Sequence, residues 1–122
     1  MSDLDRATGG DLINAEKVRG SDVYNGAGEK LGSIEDLVLD KIKGQVQYAV
    51  LSFGGFLGIG DKHYPLPWAS LKYDTRHGGY IVDLDKDQLR DAPAFDADED
   101  VQWTPDYGRS VDAFYKVPGA WQ

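Results

Sequence analysis

Apolar residues in this sequence occur in short runs that end at glycine, proline, asparagine or aspartate. This pattern is typical of short β-strands joined by tight turns. The first two runs, 18–24 and 30–40, flank the dipeptide Asn25-Gly26, which favours a hairpin turn because both residues accept a positive φ. The run 46–53 is the most apolar and β-branched, and it predicts a central strand buried on both faces.

The second strand departs from strict alternation. Its apolar positions change phase between Ile34 and Leu37, which predicts a β-bulge near Glu35 and Asp36. Further strands are predicted over three segments: 62–66, 71–74 and 80–84. Pro65 limits the first of these to the edge of the sheet or to the end of a strand. A single helical turn is expected at 68–70. Six short strands with glycine corners predict a mainly β fold, a small closed or nearly closed barrel.

Two short helices are predicted after the strands. Asp85 and Gln88 have the spacing of a capping box, and Leu89 follows as an apolar anchor. The second helix begins at Thr104 with a cap followed by proline, and Pro118-Gly119 ends it. One face of this second helix carries an apolar stripe at helical spacing: Tyr107, Val111, Phe114 and Tyr115. An isolated helix of this length is marginal in water, so the stripe must cover either the chain's own barrel or a second copy.

These elements divide the chain into three parts. Residues 1–16 are predicted to form a flexible N-terminal arm because they contain little to bury. Residues 17–95 form the predicted barrel. Residues 96–122 form an acidic connector followed by a helical C-terminal extension.

Charge is distributed unevenly along the chain, whose net charge is -8. The segment 83–112 has ten acids against three bases, an excess of seven, whereas 17–82 has seven acids and eight bases. This distribution lacks the cationic face that a nucleic acid requires, and Lys41 and Lys43 read as a solvated hairpin tip. The polar first residues and the lack of a long apolar run predict a cytoplasmic protein with no membrane partner.

The glycine-rich segment 54–60 lacks the Lys-Ser/Thr ending of a phosphate-binding loop, and the residues after it read as extended rather than helical. Its apolar residues either plug the barrel end or contact another chain. Together with the helical stripe they form the predicted candidate interaction surface: Phe56, Leu57, Ile59, Tyr107, Val111, Phe114 and Tyr115.

Catalytic, cofactor and metal residues are not assigned. The chain has no cysteine, which excludes thiol chemistry and thiolate metal sites. His63 beside Tyr64 is a conceivable base, but no motif supplies a nucleophile for it. The acids at 96–100 resemble the start of a calcium loop that then departs from the pattern, which leaves weak divalent binding open. The tryptophans read as packing anchors between barrel and tail: Trp68, Trp103 and Trp121.

Four segments together resemble the PRC-barrel family: 20–25, 28–40, 48–62 and 65–68. The resemblance covers about residues 17–95. The family is named for the cytoplasmic domain of the photosynthetic reaction centre H subunit and includes the C-terminal domain of a ribosome maturation factor. The H subunit's membrane helix and the basic RNA-facing surface expected of a ribosome factor are both absent from this sequence.

The resemblance implies a six-stranded barrel used as a non-catalytic protein-interaction or adaptor module. The expected partner is another protein, with a homodimer as one alternative, and no cofactor is expected. A different class of function stays open beside it, namely a regulatory domain that binds a small molecule or a divalent metal at the barrel mouth or the acidic connector.

Overall fold

A seven-stranded sheet, curled strongly on itself, forms most of the structure, which is a computed structural model describing residues 12–52, 62–76, 78–96 and 98–116. The strands are β1 (Asp22–Tyr24), β2 (Lys30–Asp40), β3 (Gln45–Ser52), β4 (Lys62–Pro67), β5 (Leu71–Asp74), β6 (Gly79–Val82) and β7 (Phe95–Asp96). The helices are α1 (Ala15–Val18), a 3₁₀ turn (Trp68–Ser70), α2 (Lys86–Arg90) and α3 (Pro105–Tyr115).

The strand order in the sheet is β5-β6-β1-β2-β3-β4-β7, and this order requires the curl. Strands β4 and β5 are five intervals apart, about 24 Å in a flat sheet. The three residues of the 3₁₀ turn join them, and the four Cα steps from Pro67 to Leu71 span about 14 Å at most. Trp68 accordingly contacts Tyr80 of β6, with ring centroids 5.4 Å apart.

The mainly β fold with short helices and a C-terminal helix is confirmed, with two differences. The structure has seven strands rather than six, because Phe95–Asp96 pairs with the start of β4. The sheet is also not closed: in the part of the chain that the structure describes, it ends at β5 on one side and at β7 on the other.

Local features of the first two hairpins follow the sequence closely. The β2–β3 register shifts between Ile34 and Asp36, so the predicted bulge is confirmed. The first hairpin turn is also present, but the positive φ lies at Gly28 (88°) rather than at the Asn-Gly pair. The Asn25 side chain instead stabilises the turn, because its Oδ1 accepts hydrogen bonds from the backbone N–H groups of Ala27 (3.0 Å) and Glu29 (2.9 Å).

Strand β3 is buried on both faces, as predicted, because alternate residues pack into two different layers. Ala49 and Leu51 belong to the main core on the inner face, whereas Tyr48 and Val50 are buried on the opposite face. The main core combines residues from most of the elements: Val18, Val23, Leu31, Ile34, Ala49, Leu51, Tyr64, Leu66, Tyr80, Val82, Leu84, Leu89 and Ala92.

The helix boundaries are set by caps that the sequence shows. Asp85 and Gln88 form the predicted capping box of α2, and Leu89 is fully buried. The Thr104 side chain caps α3 by accepting a hydrogen bond from the Tyr107 backbone. Helix α3 ends at Tyr115 with Lys116 as its C-cap, whose φ of 56° is left-handed, and Pro118-Gly119, predicted to end the helix, lies outside the described residues.

Helix α3 covers an exposed part of the sheet edge. Strand β7 pairs only with Lys62 and His63 of β4. Among the described residues, the rest of β4 therefore has no neighbouring strand on the edge that faces away from β3. Pro65, which lacks a backbone N–H, lies in that unpaired stretch, as its sequence predicts. Helix α3 packs along β4 there and shields an edge that would otherwise be open to pairing.

We expect Gly79→Ala to lower the free energy of unfolding by about 1–3 kcal/mol, because a Cβ at this buried position overlaps the backbone carbonyl oxygen of Asp22. Gly79 begins β6, which pairs in parallel with β1. The matched control is Gly26→Ala, where a Cβ meets open space, and its effect should stay within about 0.5 kcal/mol. Urea denaturation measures both, and equal losses would contradict this account of the parallel pair.

Candidate binding groove

A groove crosses the outer face of the sheet, opposite the main core. Side chains of directly opposed residues in neighbouring strands share a face. The register pairs Asp36 with Val50, Ser52 with His63, and His63 with Phe95. These residues therefore share the outer face of β2, β3, β4 and β7 in two neighbouring rows, and the connector after β7 passes beside them.

The groove has a volume of about 380 Å³, and its apolar lining comes from the sheet and the connector. Five residues supply this lining: Val38, Val50, Phe95, Val101 and Trp103. The edge of the His63 ring contacts the ring of Phe95, with centroids 5.6 Å apart. When an apolar group of a ligand covers such a surface and displaces its water, the free energy of the complex is lowered.

Four carboxylates stand around this floor: Glu35, Asp36, Glu99 and Asp100. The bulge places Glu35 and Asp36 consecutively at one side, and the connector supplies the other two. The cation among the lining residues is Arg19, whose Nε donates a hydrogen bond to the Glu35 carbonyl oxygen (3.2 Å). The rim therefore has an excess of negative charge, which favours a cationic ligand.

The connector is held in place by β7. Lys62 forms an ion pair with Asp96 (2.8 Å), and the hydrogen bond and charge of Asp96 raise the pKa of Lys62. The Asp96 backbone N–H donates to Glu99 Oε1 (3.2 Å), and the Glu99 N–H donates to the Asp96 carbonyl (2.9 Å). These contacts keep Glu99 and Asp100 beside the sheet.

Trp103 joins the groove to the C-terminal helix. Its ring stacks on Tyr48 at 5.8 Å and meets the edges or faces of Phe95 at 6.1 Å and Tyr107 at 5.5 Å. Aromatic pairs in such arrangements contribute beyond the area they bury. Trp103 therefore acts as the packing anchor between barrel and tail that its sequence position predicts. Trp68 packs on β6, and Trp121 lies outside the described residues.

A buried polar contact anchors helix α3 on the same face. The Tyr48 hydroxyl lies 3.1 Å from Asp112 Oδ1 and 3.2 Å from the Gly108 carbonyl oxygen. Tyr48 is fully buried and Asp112 is 5% exposed, so this contact is shielded from water. A buried carboxylate and hydroxyl require such partners because water does not reach them.

The predicted interaction surface divides into two groups in the structure. Phe56, Leu57 and Ile59 lie outside the described residues. The helical stripe faces its own chain: Val111 is fully buried, Phe114 and Tyr115 pack against the main core, and Tyr107 contacts Trp103. Of the two alternatives that the sequence left open for the stripe, the structure shows the intramolecular one.

His63 and Tyr64 do not form a joint site, because neighbouring residues of a strand point to opposite faces. His63 lines the groove, whereas Tyr64 is part of the main core, where burial raises the pKa of its hydroxyl. Among the described residues, no group of three or more histidines, aspartates or glutamates is placed to hold a metal ion.

The groove acids were not singled out from the sequence as one site, although each carried a signal. The phase change at Ile34 predicted the bulge that exposes Glu35 and Asp36. The charge count marked the connector that contains Glu99 and Asp100. Their meeting depends on the pairing of β7 with β4, a two-residue contact that leaves no periodic pattern.

Comparison with known families supports the fold. The family model for the PRC-barrel domain matches residues 10–89, which is 80 of the 122 residues. No curated protein matches the chain. In the described part of the structure, no helix has both the length and the apolar character needed to cross a bilayer.

Two tyrosine-to-phenylalanine substitutions should have opposite consequences. Tyr48→Phe removes one hydrogen-bond partner of the buried Asp112 carboxylate, and we expect a loss of about 1–3 kcal/mol in the free energy of unfolding. The Tyr115 hydroxyl is buried and has no hydrogen-bond partner among the described residues, so Tyr115→Phe should leave stability unchanged or raise it. Denaturant titration of both variants tests this contrast, and a larger loss for Tyr115→Phe than for Tyr48→Phe would overturn it.

Alkaline pH should destabilise the docked helix. Burial raises the pKa of Tyr107, and it raises that of Tyr115 further, with the neighbouring Tyr64 and Tyr107 adding to the shift. A raised folded-state pKa means that this stability is fully present below the unfolded value of about 10 and is lost as pH rises beyond it. Absorbance at 295 nm should show the buried tyrosines ionising only as the chain unfolds. Ionisation of all tyrosines near pH 10 in the folded protein would contradict this.

Proposed function

This chain belongs to the PRC-barrel family, and from that premise we propose that it is a non-catalytic protein-interaction module whose binding face is the groove on the outer face of the sheet. The observation that carries the proposal is the combination of an apolar floor with four surrounding carboxylates. This combination matches a partner segment that has an apolar side chain flanked by lysine or arginine.

The energetics of such contact favour a protein partner. Burial of an apolar side chain against the partly exposed Phe95, Val101 and Trp103 supplies affinity in proportion to the area removed from water. The carboxylates supply specificity and a faster encounter with basic partners, rather than most of the affinity. Asp100 and Glu35 are exposed at the rim, where they can meet an incoming cation without first losing an internal partner.

A binding role also accounts for the surroundings of His63. Its ring packs on Phe95, and it makes no side-chain hydrogen bond to another described residue. General-base catalysis requires a base within hydrogen-bond reach of a nucleophile or a substrate proton. In the part of the chain that the structure describes, the His63 ring packs against Phe95 and is not hydrogen-bonded to a side chain that could act as a nucleophile.

A second candidate is a regulatory domain that binds a small organic cation in the same groove. The volume of about 380 Å³ lies within the range of small-molecule sites. The aromatic rings of Phe95 and Trp103 beside carboxylates resemble, in chemistry, the lining that recognises quaternary ammonium groups. The groove favours an organic cation over a divalent metal, because among the described residues no three carboxylate or imidazole side chains are placed to hold a metal ion together.

Titration with a short basic peptide tests the main proposal. We expect the peptide acetyl-Lys-Ile-Lys-Gly-Lys-Ile-Lys-amide to shift the backbone amide NMR signals of Val50, Phe95 and Val101. The double variant Glu35→Gln/Asp100→Asn should weaken binding by about tenfold, since two rim charges correspond to roughly 1.4 kcal/mol of lost attraction. Neither side chain makes an internal hydrogen bond in the described structure, so folding should be unaffected.

The matched control is Asp83→Asn/Asp91→Asn, which removes the same charge from two exposed residues outside the groove. It should bind the peptide like the unchanged protein. A peptide with glutamate in place of lysine should cause no shifts. Shifts caused by tetramethylammonium but not by the peptide would favour the second candidate, and equal weakening by both double variants would exclude the groove as the binding face.

A further inference from the structure

The hairpin between β2 and β3 projects from the sheet as an arm, defined here as residues 39–46. Strand β1 pairs with β2 only as far as Ser33, and β4 pairs with β3 only from Tyr48 onward. Within the described sheet, the arm's residues therefore pair only with each other. Two apolar side chains on the arm are exposed to solvent, Leu39 at 54% and Ile42 at 86%.

The arm tip is ordered by its own hydrogen bonds. Asp40 Oδ1 accepts from the backbone N–H groups of Ile42 (2.9 Å) and Lys43 (3.0 Å), and the Gly44 N–H donates to the Asp40 carbonyl (2.7 Å). These backbone bonds hold the pKa of Asp40 below its usual value. A tip that is already ordered loses little conformational entropy when it binds.

The tip and the groove are chemically complementary. At the tip, one exposed isoleucine stands between Lys41 and Lys43. In the groove, an apolar floor lies between pairs of carboxylates. We propose that the arm of one copy docks in the groove of a second copy, with Ile42 on the floor and the two lysines beside the acids. This inference rests on the proposed function, because it uses the same groove and names one partner for it.

The arm cannot reach the groove of its own chain. Ile42 and Asp36 belong to the same strand-and-turn segment, and the four strand steps from Asp36 to Asp40 alone place the turn about 13 Å away from Asp36. Folding back would break the β2–β3 pairs between Asp36 and Asp40. The uneven charge of the chain favours contact between the arm of one copy and the groove of another. The acidic excess lies in 83–112, which includes part of the groove, whereas the arm lies in the nearly neutral part and is not repelled by it.

Complementary variants test the inference. The arm variant is Lys41→Glu/Lys43→Glu, and the groove variant is Glu35→Lys/Asp100→Lys. Sedimentation velocity should show that the unchanged chain self-associates at high protein concentration. The experiment is run in about 0.15 M salt, because charges farther apart than roughly 8 Å are then screened and only close charge pairs contribute. Each variant alone should associate at least about tenfold more weakly, by loss of two charge pairs. An equimolar mixture of the two should form a 1:1 complex, because the groove variant keeps an intact arm and the arm variant keeps an intact groove.

The control is Lys72→Glu/Arg76→Glu, which reverses two exposed charges on the β5–β6 hairpin and should associate like the unchanged chain. Thermal melting confirms that every variant is folded. A chain that stays monomeric at millimolar concentration, or a mixture that forms no complex, overturns the inference. Basic-peptide binding by that same monomeric chain would leave the proposed function standing. Co-sedimentation of the monomer with anionic phosphatidylserine vesicles, abolished in the arm variant, would assign the arm to a lipid surface and likewise overturn the inference.

Discussion

Burial of β3 on both faces is the constraint on which the rest of the structure depends. Its inner face completes the core of the curled sheet, and that core alone would leave Tyr48 and Val50 exposed on the outer face. Large apolar groups of this kind require a cover. The chain supplies one from its own C-terminal part, because Trp103 stacks on Tyr48 and helix α3 packs along β4. The helical extension is therefore part of the fold and not an appendage to it.

The groove results from this incomplete cover. The connector must run from β7 to α3 to bring Trp103 over Tyr48, and it passes beside the bulge of β2 on its way. Val50 is buried beneath this path, yet a space of about 380 Å³ remains between the bulge and the connector. Since the connector is acidic and the bulge exposes two further acids, the remaining space has a negative rim and an apolar floor.

Features that depend on a few adjacent residues could be predicted from the sequence, and features that depend on distant pairing could not. The bulge at Glu35, the capping box at Asp85 and the cap at Thr104 each follow from local hydrogen bonding and spacing. The parallel pairing of β1 with β6, by contrast, joins segments more than fifty residues apart and involves only Val23 and Tyr24 on one side. The site needed the second kind of information, because the short strand β7 brings the connector to the sheet.

The exposed acids of the groove and the exposed apolar residues of the arm contribute little to folding. Glu35 and Asp100 are exposed and make no internal side-chain hydrogen bond among the described residues, and four like charges around one space repel each other. Ile42 at a turn tip likewise leaves apolar surface in water without stabilising the hairpin. Both features cost free energy in the isolated chain, and both costs decrease when a cation and an apolar group enter the groove. Stability alone does not explain these side chains, and the proposed binding of a partner in the groove would account for both.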